Sequence, residues 1–434
     1  MRQKLTDILY ARKTGNDDAR TSDVIDETVN REASANYFKI LIAQFLSKSA
    51  DALMNPKITL PWVMHALGVP IVFLGWLVPI RESGSMLPQL LIANFVRRMP
   101  RRHLVWVSGS LLMALCMLGI ALTIHVAQGE VAGWAIIGLL CLFSLSRGLN
   151  SVAFKDVLGK TVVKSRRGRI SGWATCGAGF VMLIIALILT QPVVGHHPMF
   201  VYTLAFVTAA ICWGIAAWVY QRVIEPPGVV DSERQGSLLT FKRLLLVVND
   251  RTFGVFVLAR ALMLCSALSA PYFVVFAQQQ GKSSMMYLAF FLAASGAAEL
   301  LSGPFWGWFS DISSRKVMII ASLCSALLTG FMAVSAGGHI TALSGYSLFP
   351  IVYFLLTIAH QGVRLGRKTY VVNLGQGNRR TDYVSVSNTL MGAILLLTGL
   401  LSLLEPYIGI SGILTIFAAM GASGALLATR LPEV

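Results

Sequence analysis

The chain has 434 residues, of which 55% are hydrophobic and 13% charged, and it carries a formal net charge of +16. Soluble proteins hold roughly a quarter of their residues as charges, and a soluble chain of this length would need polar separators between domains that are missing here. An ordinary soluble protein is therefore excluded, and apolar tracts of roughly 18 residues or more, long enough to cross a bilayer, recur instead.

Residues 1–35 form a mixed-charge segment with no continuous apolar core, which reads as a cytoplasmic tail rather than a signal peptide. Twelve spans follow, at about 36–63, 69–96, 104–126, 131–157, 169–191, 198–221, 252–279, 285–310, 317–336, 347–372, 382–404 and 407–430. Between the sixth and seventh spans, residues 222–251 are polar and carry Pro226-Pro227-Gly228, which breaks any helix. The chain thus divides into a tail (1–35), a six-helix bundle (36–221), a linker (222–251) and a second six-helix bundle with a short tail (252–434). The expected fold is an all-α polytopic membrane protein, since the alternating ten-residue segments of a transmembrane barrel are absent.

Basic clusters such as RRMPRR (97–102) and KSRRGR (164–169) occupy every second connection, and the alternate connections are nearly free of Lys and Arg, with Lys282 the exception. By the positive-inside rule the basic loops, the linker and both termini face the cytoplasm of a bacterial-type inner (plasma) membrane. The same distribution accounts for the positive charge without nucleic acid as a partner. The six cysteines lie in apolar tracts at wide spacing and read as small buried residues. No metal or other cofactor is expected. The absence of HExxH, GxSxG and phosphate-loop patterns argues against an enzyme.

The two halves read as copies. NFVRRMPRRHLVW (94–106) aligns with WFSDISSRKVMII (308–320), placing Phe95 over Phe309 at an offset of 214 residues. An offset of 215 places SADALMNP (49–56) over LCSALSAP (264–271), and Gly148 maps onto Gly362. Parallel repeats with a binding site at their interface near the bilayer midplane are a transporter design.

At these residues the sequence resembles the major facilitator superfamily. That family carries a loop motif of the form G-x-L-A-D-R-x-G-R-K between spans two and three, often repeated between spans eight and nine. GWFSDISSRK (307–316) is similar, with Gly307, Asp311, Arg315 and Lys316 at the motif's Gly, Asp, Arg and Lys positions. The first-half copy, ANFVRRMPRR (93–102), keeps Arg101 and Arg102 but has Ala93 for glycine and Arg97 for aspartate. The resemblance implies that these loops help control the switch between inward-open and outward-open states. RGLNS (147–151) is similar to the family's fourth-span R-x-x-Q-G pattern, with Arg147 at the arginine and Asn150 at the glutamine. The fifth-span antiporter signature is only faintly echoed by GWATCGAGF (172–180), which lacks its proline.

Charged residues inside spans are the functional candidates, because an Arg or Asp at a helix centre costs roughly 2.5–3.5 kcal/mol on insertion scales. They are Asp51 in span one, Arg81 and Glu82 in span two, Arg147 in span four, Arg260 in span seven, Glu299 in span eight and Arg364 in span ten. Arg81 and Glu82 are adjacent, so their side chains point about 100° apart and need not pair with each other. Arg260 is within snorkelling reach of the basic end, and Arg364, beside Arg367 and Lys368, is also a candidate for the cytoplasmic gate. Ser83-Gly84-Ser85 suits close helix packing, and Trp62 suits an interfacial belt. In the family resembled here, spans one, four, seven and ten line the central cavity.

The expected function is secondary active transport of a small organic solute by alternating access. The arginine bias favours an anion. Asp51, Glu82 and Glu299 are candidates for a coupling proton. The alternatives are efflux of amphipathic compounds and a receptor or scaffold that keeps the fold without transport.

Overall fold

The computed structural model describes residues 27–87, 92, 95–96, 99–162, 164–191, 197–226, 250–338, 348–374 and 378–433. Arg97 and most of the linker lie outside the described residues. The helices of the first half are α1 (Glu27–Leu53), α2 (Thr59–Ala66), α3 (Leu74–Met86), α4 (Arg102–Val126), α5 (Gly129–Thr161), α6 (Lys164–Leu189) and α7 (Pro198–Tyr220). Those of the second are α8 (Arg251–Leu262), α9 (Cys265–Gln279), α10 (Met285–Ile312), α11 (Ser314–Ala336), α12 (Leu348–Leu374), α13 (Asn378–Gly399) and α14 (Glu405–Ala428). The chain is an all-α polytopic membrane protein of two pseudo-symmetric six-span halves.

Nine stretches of the described residues are long and apolar enough to cross a membrane, and the last of them, Tyr383–Ala428, holds two spans joined by a 3₁₀ turn at Leu400–Leu404. The charged first two spans fall outside those nine. The outer faces carry Leu115, Leu122, Phe180, Trp218, Trp308 and Leu327, all at least 60% exposed, an apolar belt suited to contact with lipid.

The span positions follow the sequence, but two spans are interrupted. The first was expected to be continuous over 36–63; instead α1 stops at Leu53 and α2 begins at Thr59. Pro56 cannot donate to a helical ladder and disfavours helical geometry at Asn55. The Asn55 side chain takes over, accepting the Lys57 N–H at 2.9 Å. The seventh span breaks between Leu262 and Cys265, where Leu264, Ser266 and Ala267 make three-residue turns. The Ser266 hydroxyl also donates to the Met263 carbonyl at 3.0 Å.

The packing repeats as the sequence does. In the first half α4 packs on α5 and α7, α1 on α7, and α3 on α5. In the second half α11 packs on α12 and α14, α8 and α9 on α14, and α10 on α12. Across the halves α9 touches α2 and α3, but the main contacts are two helix pairs, α6 with α10 and α3 with α13. Glycines set both approaches. A Cβ at Gly296 of α10 would stand 3.0 Å from the Gly179 carbonyl oxygen of α6, and one at Gly392 of α13 would stand 2.9 Å from Leu87 Cγ.

Two readings of single residues need correction. Trp62 is 1% exposed and packs at 6.1 Å on Phe291 of the other half, so it is a buried contact rather than an interfacial anchor. Of the cysteines, Cys116 and Cys265 are buried, but Cys141, Cys176 and Cys324 lie on the exposed faces of their helices. Cysteine is small and apolar enough for either environment.

Candidate functional site

The interruption after Leu53 places irregular backbone at membrane depth, which is tolerated where it lines a cavity or is buried in protein. Asn55, Pro56 and Lys57 do line a cavity, of about 580 Å³, between the two halves. Its walls come from α1, α3, α5 and α6 on one side and from α9, α10, α12 and α13 on the other.

Asp51 is the centre of the first-half wall. It lies in the last turn of α1, and one carboxylate oxygen accepts a hydrogen bond from Arg81 Nη2 of α3 at 3.2 Å. The other oxygen accepts from Arg147 Nη1 of α5. Three helices thus converge on one carboxylate. Local packing fixes the convergence: Ser144 of α5, one turn before Arg147, donates to the carbonyls of Ile80 at 2.7 Å and Arg81 at 3.2 Å. Gly84 permits this approach, since a Cβ there would lie 2.1 Å from Ser144 Oγ. Arg81 also reaches Glu82 Oε1 at 3.7 Å, so the adjacent pair is within ion-pair range after all, although its hydrogen bond goes to Asp51.

The opposite wall is different in kind. Arg364 and Arg367 of α12 and Glu299 of α10 line it, together with His360, whose Nδ1 lies 3.0 Å from Ser266 Oγ at the break of the seventh span. Among the described residues no carboxylate stands within 4.0 Å of Arg364, Arg367, Lys48 or Lys57, and no cation within 4.0 Å of Glu299.

The cavity extends to Gly303, Trp306 and Gly307, near the end of α10 that leads into the basic loop. Its other end is closed. There α2 packs against α9, and Trp62, Phe291 and Tyr353 form a buried aromatic contact across the halves, with Phe291 and Tyr353 5.2 Å apart.

Six of the eight intramembrane candidates, Asp51, Arg81, Glu82, Arg147, Glu299 and Arg364, line this cavity. Two do not. Asn150 faces α4, where its amide donates to Ser110 Oγ at 2.8 Å, and serves helix packing. Arg260 is buried against α13, donating to Ser387 Oγ at 2.6 Å and Asn388 Oδ1 at 2.8 Å. Lys57 and His360 line the cavity without having been singled out from sequence. Both are polar residues inside apolar tracts, the signal that marked the others.

Of the gating-loop candidates, Gly307 lines the cavity and Asp311 and Lys316 are exposed. Arg315 donates to the Leu431 carbonyl at 2.7 Å and pairs with Glu433 at 3.1 Å. Ser313 caps α11, accepting the Lys316 N–H at 3.1 Å. In the first half Arg101 is exposed, while Arg102 pairs with Asp156. Nearby, Glu225, just past α7, accepts from the His103 backbone N–H at 2.7 Å and from Lys160 at 3.1 Å. Both halves therefore tie the segment after their last span to the start of their third span.

Comparison with known proteins agrees with this architecture. The sequence model of the Major Facilitator Superfamily matches residues 40–400. Solved structures with the same fold include a POT family transporter in complex with 5-aminolevulinic acid (TM-score 0.70, 12% identity, covering 90% of this chain and 95% of that one). The nucleoside transporter NupG (TM-score 0.68, 14% identity, 91% and 98%) and a D-xylose-proton symporter (TM-score 0.68, 13% identity, 92% and 98%) share it as well. No curated protein sequence matches the chain. The chain belongs to the major facilitator superfamily of transporters.

Proposed function

We propose that this member of the superfamily is a secondary active transporter that carries a small organic anion across a bacterial-type inner membrane by alternating access, driven by proton coupling. The supporting observation is Asp51, clasped by Arg81 and Arg147 in the wall of a cavity that both halves line. Guanidinium groups offer a planar fork to carboxylate or phosphate, and an anion entering beside Asp51 competes with it for the same two arginines. With the basic loops in the cytoplasm, the state described is inward-facing, sealed on the outer side by Trp62, Phe291 and Tyr353.

Linkage supports the reading of proton coupling. Glu299 faces the cavity with no cation within ion-pair distance among the described residues. A proton on Glu299 removes a negative charge from the anion's surroundings, so each favours binding of the other. The D-xylose-proton symporter with this fold supports protons as the energy source.

The test is uptake of labelled carboxylates and phosphate esters into proteoliposomes under an acid-outside gradient. Arg147→Gln should abolish uptake while the protein stays folded, and normal uptake by that variant would remove Arg147 from the mechanism. Transport of amphipathic cations alone would favour the efflux alternative. Absence of any flux would favour a non-transporting scaffold.

A further inference from the structure

The cavity holds more positive charge than a singly charged solute can answer. Six cationic side chains line it, Lys48, Lys57, Arg81, Arg147, Arg364 and Arg367, against the three carboxylates Asp51, Glu82 and Glu299. That is a surplus of three. The pairing is uneven as well: within 4.0 Å the carboxylates engage only Arg81 and Arg147. The remaining four cations have no such partner among the described residues.

The cationic groups fall on both sides of the cavity. Lys48, Lys57, Arg81 and Arg147 belong to the first half, whereas Arg364 and Arg367 stand on α12 in the second. Three residues apart on one helix, Arg364 and Arg367 share a face, and both reach the same space. At the basic end the approach is cationic too, because Lys155 of α5 and Lys368 of α12 are exposed and within electrostatic range of each other. A mouth of that sign concentrates anions, and multivalent ones most.

Resting on the transporter reading above, we propose that the solute carries at least two negative groups on one small molecule. One is held by the Arg81 and Arg147 side of the first half, and the other by Arg364 and Arg367 of α12. Dicarboxylates, tricarboxylates and phosphorylated acids have this chemistry. A single carboxylate would leave a surplus of two among cations that, Arg364 apart, are partly or wholly shielded from bulk water, where unmatched charge is costly. With Glu299 ionised a dianion or trianion removes most or all of it, and with Glu299 protonated it removes half or more of a surplus of four. Because its two ends touch different halves, such a solute also draws them together when it binds.

The experiment measures the melting temperature of the purified, full-length protein with butyrate, succinate, citrate, 3-phosphoglycerate or putrescine, at matched ionic strength. A ligand that prefers the folded state raises the melting temperature with concentration. The expected result is that at least one of succinate, citrate and 3-phosphoglycerate stabilises the protein, with an apparent affinity tenfold or more above that of butyrate. Arg364→Gln/Arg367→Gln should erase that advantage and leave any effect of butyrate in place. Arg364→Lys/Arg367→Lys, which keeps the charge, should retain part of it and serves if the glutamine variant is unstable. Equal stabilisation by butyrate and the multivalent acids, or a multivalent advantage that survives in the glutamine variant, would overturn the inference while leaving the anion transporter standing. Stabilisation by putrescine alone would bring down both, and no response to any multivalent acid would overturn the inference.

Discussion

Asp51 and Arg147 are 96 residues apart in sequence and share a direct charge-assisted hydrogen bond in the wall of the central cavity. Arg81, 30 residues from Asp51, completes the clasp from a third helix. The arrangement is asymmetric, with one carboxylate answering two guanidinium groups, and the asymmetry has a measurable consequence. Asp51→Asn leaves Arg147 without its anion and Arg81 with only the longer contact to Glu82, and should cost about 3–5 kcal/mol, the range for breaking a buried ion pair. Arg147→Gln leaves Asp51 still bonded to Arg81 and should cost less, about 1–3 kcal/mol. Thermal unfolding of the two variants checks the order. If Arg147→Gln proves the more damaging, Asp51 is not the centre of the cluster.

The Ser144 and Gly84 contact makes a prediction about packing. A methyl group at Gly84 would sit 2.1 Å from Ser144 Oγ and 2.7 Å from its Cβ, so α3 and α5 would have to separate. Gly84→Ala should destabilise by about 1–3 kcal/mol through overpacking. Separation of these helices also draws Arg81 and Arg147 away from Asp51, so transport should fall with stability. Adding Ser144→Gly should return much of the loss, and a double-mutant cycle gives the coupling. A coupling near zero would show that the approach at Gly84 is not what limits the packing.

The outer seal can be probed chemically. Ser269 of α9 is wholly buried and lies between Ala267 and Ala270, which line the cavity. A cysteine there should resist a membrane-impermeant maleimide added from the side opposite the basic loops. Removing the cross-half contact of Trp62 with Phe291 by Trp62→Ala leaves a large void, worth about 3–5 kcal/mol in a packed interior. The variant should populate the outward-open state and label readily at Ser269→Cys. Unchanged labelling would mean that α2 and α9 hold the seal without the aromatic contact.

What was legible in the sequence, and what was not, divides along physical lines. Spans, the repeat and the intramembrane charges are local signals: tract length, loop charge and the cost of a buried ion can be read residue by residue. Asp51, Arg81 and Arg147 were marked in that way, but their meeting at one point depends on how α1, α3 and α5 pack. Periodicity does not encode that packing. Arg260 and Asn150 carried the same local signal as Arg147 and yet face neighbouring helices, bonded to Ser387 and Ser110. Lys57 was hidden for a different reason. The Pro56 break that turns it into the cavity lies inside a tract whose hydrophobicity reads as one continuous span.

Glu225 offers a prediction in pH. Its side chain is fully buried past the end of α7, bonded to His103 and Lys160. Burial alone would raise the carboxyl's pKa, but the hydrogen bonds from the His103 ring and backbone, together with Lys160, outweigh it and hold the group below the ordinary glutamate value. A carboxyl depressed in the folded state stabilises the protein fully above its unfolded pKa of about 4.3. The contribution is lost as pH falls through the lower folded value. Glu225→Gln should therefore lower the melting temperature at neutral pH, by the equivalent of about 1–3 kcal/mol. The gap from wild type should narrow steadily below about pH 4. Melting curves of both proteins between neutral and acid pH test this. A gap that stays constant into acid would mean that the Glu225 charge contributes nothing, leaving only its shape. The parallel tie in the second half, Glu433 to Ser313 and Arg315, is 45% exposed at the glutamate and screened by solvent. Glu433→Gln should therefore shift the melting temperature far less than Glu225→Gln.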